Sequence, residues 1–176
     1  MLFLGSLVFW VPISFTAANS VHFVNQDIIT RTIVFTPERG QPQISSVIIK
    51  GNSAEHKMFP FGWTGNWYSV SEGAADVPGI LGEVRFDGFD GATFFDVSAI
   101  VNPNDNQGVK QLFPAGTNRP ISGCDLFPCA NVYRKSDDLQ TLSTYSKDLI
   151  CLLGSSQSKA RRSNRKVMEN PDSQTS

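Results

Sequence analysis

Residues Leu81 to Asn102 read LGEVRFDGFDGATFFDVSAIVN, two alternating apolar runs around Asp87-Gly88 and Asp90-Gly91. Such Asp-Gly dipeptides supply the left-handed backbone that tight hairpin turns need. A two-residue loop of Asp90 and Gly91 sets Arg85 opposite Asp96, whereas a loop from Gly88 to Gly91 sets Glu83 opposite Asp96. Both registers give the same faces, because side chains on a strand alternate with period two. Val84, Phe86, Phe95, Val97 and Ala99 form a core face, and Glu83, Arg85, Asp87, Phe94, Asp96 and Ser98 form a largely polar outer face.

The rest of the chain agrees with a β fold. Its 176 residues suit one well-buried domain and are short for two. Phe occurs 13 times and Gly and Pro occur 14 and 10 times, with no amphipathic helical stretch, so an all-β sandwich or barrel with many turns is expected. The net charge of −1 conceals an asymmetry: the last residues carry Lys159, Arg161, Arg162, Arg165 and Lys166 against Glu169 and Asp172. The remainder is acidic, which argues against a nucleic-acid partner.

Met1 to Ala18 holds the apolar run LFLGSLVFWVPISF followed by Thr16-Ala17-Ala18, which reads as a signal peptide cut after Ala18. Pro12 and the shortness of the run argue against a membrane span, so no membrane association is expected once it is removed. A β domain is expected over 19–154, and the polar, basic residues 155–176 read as a disordered tail that cannot bury enough surface to offset its ordering entropy. Within the domain, Val21 to Val24 and Arg31 to Thr36 read as an opening hairpin around Asn25-Gln26-Asp27. Ile44 to Lys50 reads as a third strand, Glu55 to Phe59 as a fourth, and Val109 to Phe113 and Leu149 to Leu153 as later ones.

Few residues suggest chemistry. Phe61, Trp63, Trp67 and Tyr68 crowd one short stretch. Most are expected in the core, with Trp67 or Tyr68 as candidate exposed platforms for a sugar ring. His22 and His56 are the two histidines, and neither has a Cys or second His at ligand spacing, so no metal or cofactor is expected. The polar loop from Asn102 to Gly108 lacks calcium-loop spacing and reads as a turn. Of the three cysteines, Cys124 with Cys129 is the favoured disulfide; either one with Cys151 is the alternative, and one thiol is left over. No nucleophile elbow or zinc-protease helix motif occurs, and no catalytic residue is assigned.

The stretches VHFVNQDIITRTIVFTP (Val21 to Pro37), FPFGWTGNWYSVSEGAADVPGILGEV (Phe59 to Val84), DVSAIVNPNDNQGVKQLFP (Asp96 to Pro114) and GCDLFPCANVY (Gly123 to Tyr133) together resemble the fungal CetA-like branch of the thaumatin-like superfamily, a group of secreted yeast-phase antigens. The resemblance runs from Asn19 to Gly154. It implies a thaumatin-like β-sandwich, or flattened barrel, without the disulfide-rich second domain of the plant proteins. It also implies a secreted, non-catalytic protein that binds cell-wall polysaccharide or a host or cell-surface partner, as an antigen or adhesin; the alternative is a weak β-1,3-glucan hydrolase. Glu83 and Asp96 match two acidic cleft positions of the family, with Asp137 or Asp138 for a third. The family's cleft arginine is replaced near Asn66, and Val101 stands where a further aspartate is expected, so the plant-type cleft is incomplete.

Overall fold

The computed structural model describes residues 18–155, so the leader and tail expectations lie outside the described residues save at their inner edges. Among the described residues eleven strands occur: β1 (Asn19–Asn25), β2 (Arg31–Pro37), β3 (Val47–Ile49), β4 (Ala54–Phe59), β5 (Thr64–Ser71), β6 (Leu81–Arg85), β7 (Thr93–Ser98), β8 (Val109–Pro114), β9 (Ser122–Gly123), β10 (Leu142–Thr144) and β11 (Asp148–Leu153). They form two sheets, one ordered β4-β1-β11-β8-β9 and the other β10-β7-β6-β5-β2-β3. The sheets face one another as a sandwich and do not close into the flattened barrel that was the other form of the expectation. Among the described residues the sole helical element is a 3-10 turn at Phe89–Gly91, and no helix is long and apolar enough to cross a membrane.

The alternating pattern explains the core. Val21 and Phe23 of β1, Ile33 and Phe35 of β2, Val84 of β6, and Phe95 and Val97 of β7 all point inward and are buried. Aromatic rings lock the sheets together: Phe23 meets Trp67 edge-on at 5.4 Å between centroids, and Phe59 lies 5.7 Å from Phe35, 5.0 Å from Trp63 and 5.3 Å from Phe86. Gly82 is required on β6 because a Cβ there would stand 2.6 Å from the Trp67 indole.

The opening hairpin is corrected. β1 pairs with β4 and, in parallel, with β11, while β2 pairs with β3 and β5 in the opposite sheet. The link between β1 and β2 is therefore a corner from one layer to the other. Its physical cause is Arg31, whose inward position on β2 buries the guanidinium completely. Asp27 in the corner meets it at 2.6 Å, and Asn25 Oδ1 and Ser71 Oγ accept its other N–H groups at 3.2 and 2.8 Å. Asn25 Nδ2 in turn donates to the Ile29 carbonyl at 2.6 Å, so the corner is knitted by side chains where a hairpin would use a ladder.

Other strands fall close to expectation. The third is shorter, Val47–Ile49, because Gln43 ties the preceding segment to the Phe35 carbonyl by a side-chain bond at 3.1 Å. The polar loop after β7 is a turn held by Asp105, which accepts the N–H groups of Ile80, Gln107 and Gly108 at 3.0, 2.8 and 3.2 Å. Cys124 and Cys129 form the disulfide, and Cys151 is a free buried thiol on β11, pushed up to about 12 by burial, with the Trp67 side chain pulling weakly the other way.

Candidate functional site

The central hairpin takes the register that sets Glu83 opposite Asp96. The turn decides this: the Gly88 N–H donates to the Ala92 carbonyl at 2.8 Å, and Asp90 supplies a left-handed residue (φ 54°) inside the loop. Neighbouring registers extend the row, since Asn66 of β5 lies opposite Glu83 and Thr36 of β2 lies opposite Asn66. At the other end, Thr141 places its hydroxyl 3.4 Å from Asp96 Oδ2. The outer face of the six-stranded sheet thus carries a transverse line of polar side chains: Thr36, Asn66, Glu83, Asp96 and Thr141. This line forms the floor of a groove of about 820 Å³, with Phe89 and Phe94 also on its wall.

Electrostatics single out Asp96. The segment that leads into β10 covers it, leaving it 7% exposed, and its Oδ1 has no hydrogen-bond donor. Burial, the negative charge of Glu83 and a carboxyl–carboxyl hydrogen bond with Glu83 push the Asp96 acid up to about 8, against a downward pull from Thr141. At neutral pH Asp96 therefore tends to keep its proton. Arg85 lies opposite Phe94 and is exposed, and among the described residues no ion pair joins it to either carboxylate, so it does not act as their cross-strand neutraliser.

Asp87, in the turn just past the end of β6, behaves differently. Burial pushes its carboxyl up, but hydrogen bonds from Lys147, Asn19 and the Gly62 N–H outweigh this and hold it below the ordinary range. Lys147 and Asn19 approach it at 2.6 Å each and the Gly62 N–H at 2.9 Å. It ties the hairpin to the opposite sheet.

The aromatic expectation is corrected. Trp67 is fully buried under Gly82, and Tyr68 is buried with its hydroxyl donating to Asp76 at 2.9 Å, so neither presents a ring to a sugar. The exposed ring beside the carboxyls is Phe89, at 84% exposure, which the sequence places in the turn between two glycines. Asp137 is exposed outside the groove lining, and Asp138 is occupied by the backbone N–H groups of Arg134 and Lys135 at 2.7 and 2.9 Å. The third acidic position is therefore not brought to the pair. Thr36 and Thr141 were missed, because their proximity depends on strand order and not on local pattern.

A second group lies on the other sheet. His22 of β1 is opposite His56 of β4, their rings stacked at 4.2 Å, and His22 Nε2 is 3.1 Å from Asp148 Oδ2 on β11.

Fold and groove define a disulfide-bearing β-sandwich with a paired-carboxyl groove. No family model matches the chain. It is 47% identical over 135 residues to the antigenic protein SchS21 of Stachybotrys chartarum, covering 77% of this chain and 94% of that protein. The chain belongs to the family of that antigenic protein.

Proposed function

We propose that this is a secreted, thaumatin-like protein of the fungal surface or its surroundings that binds cell-wall polysaccharide, β-glucan in particular, without cleaving it. The supporting observation is the Glu83–Asp96 pair in its groove: two carboxyls side by side on one face offer oxygen acceptors for vicinal sugar hydroxyls. Phe89 beside them offers an aromatic plane for the C–H face of a sugar ring. The antigen name of the relative fits a protein presented outside the cell.

The alternative is a weak glucan hydrolase. In its favour, a carboxyl that stays protonated at neutral pH is what a general acid requires. Against it, the third acidic position is not brought to the pair: Asp137 lies outside the groove lining, and Asp138 is held by the backbone N–H groups of Arg134 and Lys135. Binding without turnover is the reading we favour.

Binding to insoluble β-glucan, chitin and cellulose, with reducing-sugar release measured alongside, tests both readings. Exchanging Glu83→Gln with Asp96→Asn should weaken glucan binding about tenfold or more, since a hydrogen bond to a charged group is worth roughly 1.5–3 kcal/mol. Folding should survive, because Phe86, Phe95 and Val97 are untouched. Unchanged glucan binding in the double variant would assign the pair a structural role, and reducing sugar released by the parent but not the variant would favour the hydrolase.

A further inference from the structure

From the cluster on the five-stranded sheet, we infer that His22, His56 and Asp148 form a surface site for a divalent transition ion of the zinc or copper kind, distinct from the groove on the opposite sheet. The three residues come from three adjacent strands, β4, β1 and β11, and share the outer face because Val21 and Phe23 of β1 take the inner one. His22 and His56 are direct cross-strand partners, and Asp148 lies opposite Ser20, one step diagonal from His22. Their ligand atoms all lie within 4.8 Å of one another.

The chemistry of the donors selects the ion. Two imidazole nitrogens and a carboxylate oxygen suit zinc or copper, whereas magnesium and calcium prefer oxygen alone. Ligands about 2.0–2.2 Å from a tetrahedral zinc stand roughly 3.3 Å apart. His22 Nε2 and Asp148 Oδ2 are already at 3.1 Å. Ser20 Oγ donates to Asp148 Oδ1 at 2.5 Å, which orients the carboxylate and leaves Oδ2 toward His22, the outer-shell arrangement that holds metal ligands in place. His56 is exposed, so a turn about its side-chain bonds brings its ring from the stack to the ion without disturbing packed neighbours. Solvent completes the coordination, and the ion would tie the first and last strands of the domain to β4.

The test uses the full chain without a histidine tag. Zinc is titrated in competition with a chromophoric chelator, cobalt(II) absorption is recorded as a coordination signature, and the thermal midpoint is followed with and without zinc. One saturable zinc site per chain is expected, with a raised midpoint and a cobalt spectrum of low coordination number, unaffected by excess magnesium or calcium. Loss of an outer-shell partner typically weakens a metal site about 10–100-fold. His56→Gln, which removes a ligand at an exposed position, should weaken zinc at least that much while leaving the metal-free midpoint unchanged, and His22→Gln and Asp148→Asn should weaken it too. No saturable binding by the parent, or zinc affinity and cobalt spectrum unaltered in His56→Gln, would overturn the assignment. Glucan binding by the same variants should stay at the parent level, so this site and the groove stand or fall separately.

Discussion

Two buried aspartates, Asp27 at the β1–β2 corner and Asp96 in the groove, show opposite ways of holding a carboxyl inside a sandwich. Asp27 is saturated: Oδ1 accepts the Ile29 N–H at 3.0 Å, and Oδ2 accepts Arg31 at 2.6 Å and the Ser155 N–H at 3.2 Å. Asp96 faces another carboxylate, has one buried oxygen without a donor, and receives a long bond from Thr141. The contrast separates a carboxylate that builds the corner from one left with an unmet hydrogen-bonding need, the kind of setting in which strongly perturbed acids cluster.

The largest effect is expected at Arg31. Arg31→Met removes the cation from a pair that is 0% and 4% exposed, leaving Asp27 buried without its counter-charge and Asn25 and Ser71 without their donors. Breaking one side of a buried pair costs roughly 3–5 kcal/mol. Urea denaturation should show that loss in the midpoint with an unaltered slope. A change within about 0.5 kcal/mol would mean that the corner does not hold the two sheets together.

The reverse effect is expected at Asp96. Its folded-state pKa is raised to about 8, against an ordinary ~3.9 for Asp. The folded protein thus keeps a proton that the unfolded chain releases. This contribution to stability is complete below about pH 4 and is lost as pH rises through about 8. Asp96→Asn cannot ionise, and its amide can donate to Glu83 and accept from Thr141. Near pH 9 the variant should exceed the parent by an amount on the order of a few kcal/mol, each pKa unit being ~1.4 kcal/mol, while near pH 4 the two should converge. Parallel stability–pH curves from urea unfolding would refute the raised pKa of Asp96.

How much of this was legible in the sequence follows from what period two encodes. Alternation sorts residues to faces, and Val84, Phe86, Phe95, Val97 and Ala99 are all buried as their pattern requires. It does not say which strand lies alongside, so the β1–β2 corner reads locally like a hairpin, and an arginine in phase with Ile33 and Phe35 gives no sign that it is buried. Tyr68 points away from Trp67 as alternation demands, but the loop carrying Asp76 covers it, a tertiary effect without local signature. The hairpin register stayed open because two Asp-Gly pairs compete for the turn. His22 and His56 meet only because β4 returns beside β1, which no ligand spacing along the chain could reveal.

The smallest effect is expected at Thr141. Thr141 is the one side chain that lowers the acidity shift of Asp96, through a bond of 3.4 Å at the long limit for a hydroxyl donor. Its hydroxyl also meets the Tyr133 phenol at 2.8 Å, so the bond to Asp96 is held in place from behind. Thr141→Val keeps the shape and removes both bonds. Asp96 should then titrate at a still higher pH than the parent, because the charged form loses its only partner while burial and Glu83 remain. The loss of stability should be about 0.5–1.5 kcal/mol and should be larger above the Asp96 transition than below it, since a bond to the ionised carboxylate is worth more than one to the acid. Carbon-detected NMR titration of the Asp96 carboxyl reads the first effect and urea midpoints on either side of the transition read the second. A titration that moves downward would show that Thr141 stabilises the protonated form instead of the charged one.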